Sequence, residues 1–239
     1  MGLFSQKDRY CVPELGLLTM DTVVVACRTL EDEIAFAMER TGYHYPVEFI
    51  ESGLHERPKK LADTVQKLLN SIEAERVLLC LGQCGNSMVG IRTGSYEMIL
   101  PKTDDCLSML LGSAKEKSRV GIEDKAFFLT MGWLKGESTI MSEYERSKKR
   151  YGEETALSIM EMMYGHYKTM GLIDSGISSM DDLFIRTGEI AELLHLERKV
   201  YPGTTTYIEQ LIAGPWDPDR FIVKPPFTAI TDEDFRNML

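Results

Sequence analysis

Four side chains in this sequence combine donor chemistry with one kind of position, each lying just beyond a short apolar run. Cys27 follows Thr22-Val23-Val24-Val25-Ala26, and His55 lies beyond Val47-Glu48-Phe49-Ile50. Cys84 lies beyond Val77-Leu78-Leu79-Cys80-Leu81, and Cys106 beyond Met98-Ile99-Leu100-Pro101. Three thiols and an imidazole suit zinc or an iron–sulfur cluster, because thiolate and imidazole are ligands of soft and borderline metals. The same residues also support thiol catalysis, with Cys84 as a nucleophile activated by turn amides and by His55. Spacing alone decides nothing: there is no CxxC, and Cys80 and Cys84 stand four positions apart.

The neighbours of these residues extend the set. Asp105, with Asp104 before it, precedes Cys106 and reads either as a helix cap or as a carboxylate that orients a ligand or acts as a general base. Gly82 and Gly85 flank Cys84 and let the backbone close on a ligand and turn its amides toward an anion. The stretch matches neither GxGxxG nor a phosphate loop, and the chain has no GxSxG elbow and no HExxH. Against these readings stands the ordinary fate of a free cysteine, which is burial. Cys80 sits inside an apolar run and is assigned to the core, and Cys11 has no evident partner. His44, His166 and His195 read as surface or internally satisfied. Trp133, Tyr167 and Trp216 either line a cleft or belong to the core.

What must position these residues is an alternation of strands and helices. The β-branched run at 22–26 is followed by helical spacing at Leu30, Ile34, Ala37 and Met38, and Pro58 opens a stripe of Leu61, Val65, Leu68, Leu69 and Ile72. The run at 77–81 is nearly all apolar, as suits a strand covered on both faces. Strand and helix keep alternating to the strand at 221–223. The fold class this predicts is α/β: an open, mostly parallel, doubly wound (Rossmann-like) sheet with helices on both faces and a second, smaller lobe. The chain reads as one α/β domain over residues 1–239, with an internal lobe boundary near the charged, glycine-containing stretch 115–125. In a doubly wound sheet the four donors fall at the carboxyl edge, where ligands bind.

Composition narrows the function classes. A chain of 239 residues, 44% hydrophobic, can bury a substantial core. Its formal charge of -10, with Lys148-Lys149-Arg150 the one notable basic cluster, speaks against nucleic acid or an anionic membrane as partner. No stretch approaches the ~20 apolar residues of a membrane span, and Met1 to Tyr10 lacks the apolar region of a signal peptide, so a cytoplasmic protein is expected. Five cysteines in such a chain do not make a disulfide framework.

With those residues in view, the chain resembles a family described as domain of unknown function 1638 over nearly its whole length. The likeness rests on Ala26-Cys27, Gly53-Leu54-His55 with Pro58, Leu81-Gly82 to Cys84-Gly85, Leu100-Pro101 to Asp105-Cys106 running on to Leu111-Gly112-Ser113, and Gly132-Trp133. It continues through Tyr151-Gly152, Ile173-Asp174, and Gly214 to Asp217 with Phe221 and Pro225-Pro226. Where the family commonly has His-Asp-Cys, this chain has Asp104-Asp105-Cys106, so no histidine ligand carries over there. The resemblance singles out Cys27, His55, Cys84, Asp105 and Cys106. It also implies an occurrence in anaerobes and archaea alongside corrinoid-dependent methyltransferase components.

The leading expectation is therefore a cysteine-rich metal site, zinc or an iron–sulfur cluster, in a crevice at the strand ends. Cys27, His55, Cys84 and Cys106 are its ligands, Asp105 stands beside them, and the protein serves or acts in anaerobic one-carbon, corrinoid-linked methyl transfer. The alternatives are a metal-free partner of a corrinoid protein or methyltransferase, and a thiol-dependent enzyme using Cys84.

Overall fold

The structure is a computed structural model that describes residues 21–55, 57–136 and 139–238. Its larger sheet holds β1 (Thr22–Cys27), β2 (Val47–Ile50), β3 (Arg76–Cys80), β4 (Glu97–Pro101) and, from the far end of the chain, β8 (Phe221–Lys224). The strand order is β2-β1-β3-β4-β8, with all neighbours parallel except the β4–β8 pair. Alternation along the strands sends side chains to two cores. Val24, Ala26, Leu78, Cys80 and Ile99 face one, and Val25, Val77, Leu79, Met98 and Leu100 face the other. The first core is closed by α1 (Glu31–Thr41) and α9 (Thr206–Ala213), the second by α2 (Pro58–Leu69). On α2 the buried residues Leu61, Val65 and Leu69 recur every fourth position, the spacing of one helical face.

The smaller sheet is parallel throughout, with β5 (Ala126–Leu129), β6 (Thr169–Asp174) and β7 (Glu197–Pro202) in the order β5-β6-β7. Around it lie α5 (Met131–Leu134), α6 (Ile140–Tyr151), α7 (Glu153–Tyr164) and α8 (Met180–Leu194). Phe128, Ile173 and Tyr201 from this sheet pack in the same core as Ile99 and Phe221 from the larger one. The expected α/β architecture with a second, smaller sheet is thus what the chain forms.

The stretch 115–125, read from sequence as a charged boundary, is largely the helix α4 (Ala114–Glu123), and the Ser113 hydroxyl caps it by accepting from the Glu116 amide at 3.0 Å. The chain changes sheets immediately afterwards, at β5. A short helix, α3 (Cys106–Leu110), precedes it and begins on the cysteine after β4.

One topological fact positions the site. From β1 the chain passes through α1 to β2 on one side, then returns through α2 to β3 on the other side of β1. The turns leaving β1 and β3 therefore diverge, and a crevice opens at their carboxyl ends, the usual ligand position in such sheets. Among the described residues no helix is long and apolar enough to cross a membrane.

Candidate functional site

Cys27 is the last residue of β1, Cys106 the first of α3, and Cys84 stands in the turn after β3. Thr29 ties the first two together. Its buried hydroxyl lies 3.1 Å from the Cys27 sulfur and 3.7 Å from the Cys106 sulfur. The neighbouring Cys106 thiol, with the Thr29 hydroxyl and amide and the charge of His55, outweighs burial and brings the Cys27 pKa down to about 6. Donors aimed at sulfur stabilise the anion, which is why this thiol alone is acidified. The same contact holds the Cys106 thiol well above its ordinary value, as does burial. Cys84 is pushed up to about 12, chiefly by burial and then by the negative charges of Cys27 and Asp105. Of these three thiols, Cys27 is thus the one whose pKa is lowered.

The turn carrying Cys84 is unusual in its backbone. Cys84, Gly85 and Asn86 all have positive φ, at 47°, 64° and 67°. A residue with a Cβ pays roughly 1 kcal/mol for that conformation, so something must hold it. The Cys84 amide donates to the Asp104 carbonyl at 2.7 Å and the Gln83 amide to the Thr103 carbonyl at 2.8 Å, stitching the turn after β3 to the turn after β4. Gly82 permits the approach: a Cβ there would stand 2.5 Å from the Asp105 Cα. Gly82 is thus a packing glycine, whereas Gly85 lies on the cavity wall.

His55 follows a short turn of helix at Ser52–Leu54. Its Nδ1 is hydrogen-bonded to the Ser52 carbonyl, which makes Nδ1 the protonated nitrogen and, in the neutral ring, leaves the Nε2 lone pair free for a proton or a ligand. The ring meets Trp133 edge-on, with centroids 4.5 Å apart. Asp105 caps α3, accepting from the Ser108 amide at 3.0 Å, and its other oxygen pairs with Lys117, which also reaches Asp104 at 2.5 Å. Both Asp105 oxygens are engaged, which leaves this carboxylate in a positioning rather than a proton-abstracting place. Burial works against the Lys117 ammonium, yet the two aspartates hold its pKa above the ordinary value.

Cys27, His55, Cys84, Gly85, Asp105, Cys106 and Trp133 line one cavity of about 300 Å³. A larger, open depression of about 750 Å³ lies beside α1 and the start of α8, and none of these residues reaches it. Among the described residues no group of three or more His, Cys, Asp or Glu side chains is set to hold a metal ion. Cys80 is fully buried in the core, as its place in the strand requires. Cys11 lies outside the described residues.

Three contributors escape the sequence reading: Thr29, Ser52 and Lys117. Thr29 carried a signal, standing two residues past a strand-terminal cysteine, whereas Lys117 reaches the site from the opposite end of a loop and a helix. Trp133 follows the carboxyl end of β5 and lines the cavity, while Tyr167 makes tilted ring contacts with Phe127 and His166 and Trp216 donates its indole N–H to the Leu211 carbonyl at 2.9 Å.

Neither the curated proteins nor the solved structures contain a match to this chain. A family model does match, over residues 49–212, a span that takes in His55, Cys84, Asp105 and Cys106 and leaves Cys27 and Thr29 on its amino-terminal side. The chain belongs to that family, described as protein of unknown function (DUF1638).

Proposed function

We propose that this protein is a thiolate-dependent enzyme in which the Cys27 sulfur attacks an electrophilic carbon of a small substrate held in the cavity. What carries the reading is one arrangement: the Cys27 sulfur accepts from the Thr29 hydroxyl, has the Cys106 thiol beside it and lines the cavity. A thiolate formed at neutral pH is the reactive species in thiol chemistry. In the step itself a lone pair of Cys27 forms the new S–C bond, and the bond to the leaving group breaks with its electron pair. Cys84 is the poorer nucleophile, because burial keeps its proton on.

The test is alkylation by iodoacetamide across pH, with the modified cysteine identified by peptide mass. Cys27 should react first, with a midpoint near about 6, and Cys27→Ser should remove the fast phase. A fast phase on Cys84, or a Cys27 midpoint at the unperturbed value of 9.0, would argue against the proposal.

A second reading, a zinc or iron–sulfur centre, draws on a separate observation: Cys27, Cys84, Cys106 and His55 line the same cavity, and His55 has a free Nε2. Binding would require the side chains to close in and the two thiols to lose their protons, which a metal cation favours. Anaerobic reconstitution with zinc, or with iron and sulfide, followed by metal analysis per chain, tests it, and a metal-free product would count against it. A corrinoid protein or methyltransferase as partner rests on the family resemblance alone.

A further inference from the structure

The thiol cavity does not stand alone. His55, Asp105, Leu107 and Trp133 also line a second chamber of about 480 Å³ over the smaller sheet, whose remaining wall is mostly apolar: Phe127, Leu129, Leu134, Ile140 and Met163 among others. On the other side, Glu51 and Ser52 are shared with a third cavity of about 340 Å³, a polar one containing Arg57, Lys60 and Arg146. Thr139 and Glu143 join the second chamber to the third. Three adjoining spaces of different chemistry thus surround the Glu51 to His55 turn: thiols, apolar wall and cations.

The charges in the polar space are not balanced. Glu51 is paired with Arg28 at 2.7 Å, from outside the cavity, and Glu143 with Arg146 at 3.0 Å. Arg57 and Lys60 have no carboxylate at ion-pair distance among the described residues. With Arg146 they set three cations against the two carboxylates Glu51 and Glu143 at one cavity, in a chain of net charge -10. The excess of cations favours an anionic group there.

Building on the thiolate reading, we propose that the substrate is an organic anion with an apolar body. Its reacting carbon lies against Cys27, its hydrocarbon or aromatic part in the apolar chamber, and its carboxylate or phosphate at Arg57 and Lys60. The combined spaces are of the size that holds a small organic molecule, and mostly apolar walls with a few convergent polar groups are the usual build of such sites. Arginine supplies paired N–H donors that match either anion.

Three probes test this on the full chain: phenylbutyrate, its uncharged amide and phenyl phosphate, each measured by calorimetry and by protection of Cys27 from iodoacetamide. The expected result is protection by the acid with the amide at least about tenfold weaker, as befits the loss of one charged contact. Tighter binding of phenyl phosphate would also support the proposal and assign the anion as phosphate. Arg57→Gln with Lys60→Gln, both on exposed positions, should abolish the preference for acid over amide. Leu134→Trp, which fills the apolar chamber, should weaken acid and amide alike. Equal protection by acid and amide in the wild type, no protection by any probe, or a preference that survives the double variant would overturn the proposal. The alkylation profile of Cys27 without probe reports on the thiolate reading separately, so the two fail independently.

Discussion

A Cβ added to Gly132 would stand 1.9 Å from the carbonyl oxygen of Thr29. The first turn of α5, which belongs to the smaller sheet's side of the molecule, therefore runs backbone against backbone with the turn after β1. The residue that donates to Cys27 is held from the other lobe, and Trp133, next in sequence, lines the thiol cavity from the same turn.

Gly132→Ala should accordingly push the Thr29 turn away. Overpacking of this kind costs about 1–3 kcal/mol, so urea unfolding should show that loss. The alkylation midpoint of Cys27 should rise in the same variant. A destabilised protein with an unchanged midpoint would show that the contact supports the fold and not the thiolate.

Thr29→Val keeps the shape of the side chain and deletes the donor. A hydrogen bond to a charged group is worth about 1.5–3 kcal/mol, so the Cys27 midpoint should move up by about one to two pH units. Alkylation kinetics read this directly, and a midpoint that stays near 6 would assign the acidity to Cys106, the backbone amide at position 29 and His55.

The pH dependence of stability has a definite sign. Cys27 titrates at about 6 in the folded chain against 9.0 when unperturbed. Between those values the unfolded chain binds the extra proton, so stability from this group rises with pH and is lost as pH falls through about 6. Above about 9 the slope reverses, because Cys84 and Cys106 keep their protons in the fold and lose them when unfolded. Urea midpoints across pH should trace that dome, and Cys27→Ser should remove its rising arm and leave the falling one.

At position 84, Gly, Ala and Ser should separate. Glycine adopts positive φ without cost and should be close to neutral, regaining about 1 kcal/mol of backbone strain against the lost side-chain packing. Alanine keeps the strain and loses the sulfur, for about 1 kcal/mol. Serine places a hydroxyl against an apolar wall and should be the worst of the three. Thermal melts would settle the order, and alanine more stable than glycine would mean that the strain is relieved elsewhere.

Asp105→Asn retains an acceptor for the Ser108 amide and gives up the charge facing Lys117. Asp104 still holds the lysine, and half-exposed ion pairs are worth about 0–1 kcal/mol. Asp105→Ala also removes the cap and should cost about 1 kcal/mol more. Equal losses in the two variants would show that the charge, and not the cap, is what Asp105 contributes.

Much of this architecture was legible in the residues. The apolar runs at 22–26, 47–50, 77–81 and 98–101 became strands in a parallel sheet, and Cys27, His55, Cys84 and Cys106 came to one cavity because each follows such a strand. What stayed hidden depends on side-chain geometry and not on order along the chain. The acid thiol is set by which neighbours donate to it, and Thr29 and Cys106 are 77 residues apart. The helix at 114–123 was masked by its charge, because only Ala114 and Val120 are buried and charged residues fill most of its other positions. Nor does any local pattern announce that Lys117 will turn back to Asp104 and Asp105.

The last strand to be made, β8, pairs with β4 beside the crevice, although more than a hundred residues and the entire smaller sheet separate the two in sequence. Until Phe221 to Lys224 has been synthesised, the larger sheet has an open hydrogen-bonding edge at β4, and such edges are where chains pair with the wrong partner. Contacts this distant in sequence form slowly. A chain in which β8 is not yet made, or is clipped away, would thus carry an unsheathed β4, which makes aggregation the characteristic failure of this fold and β8 its safeguard.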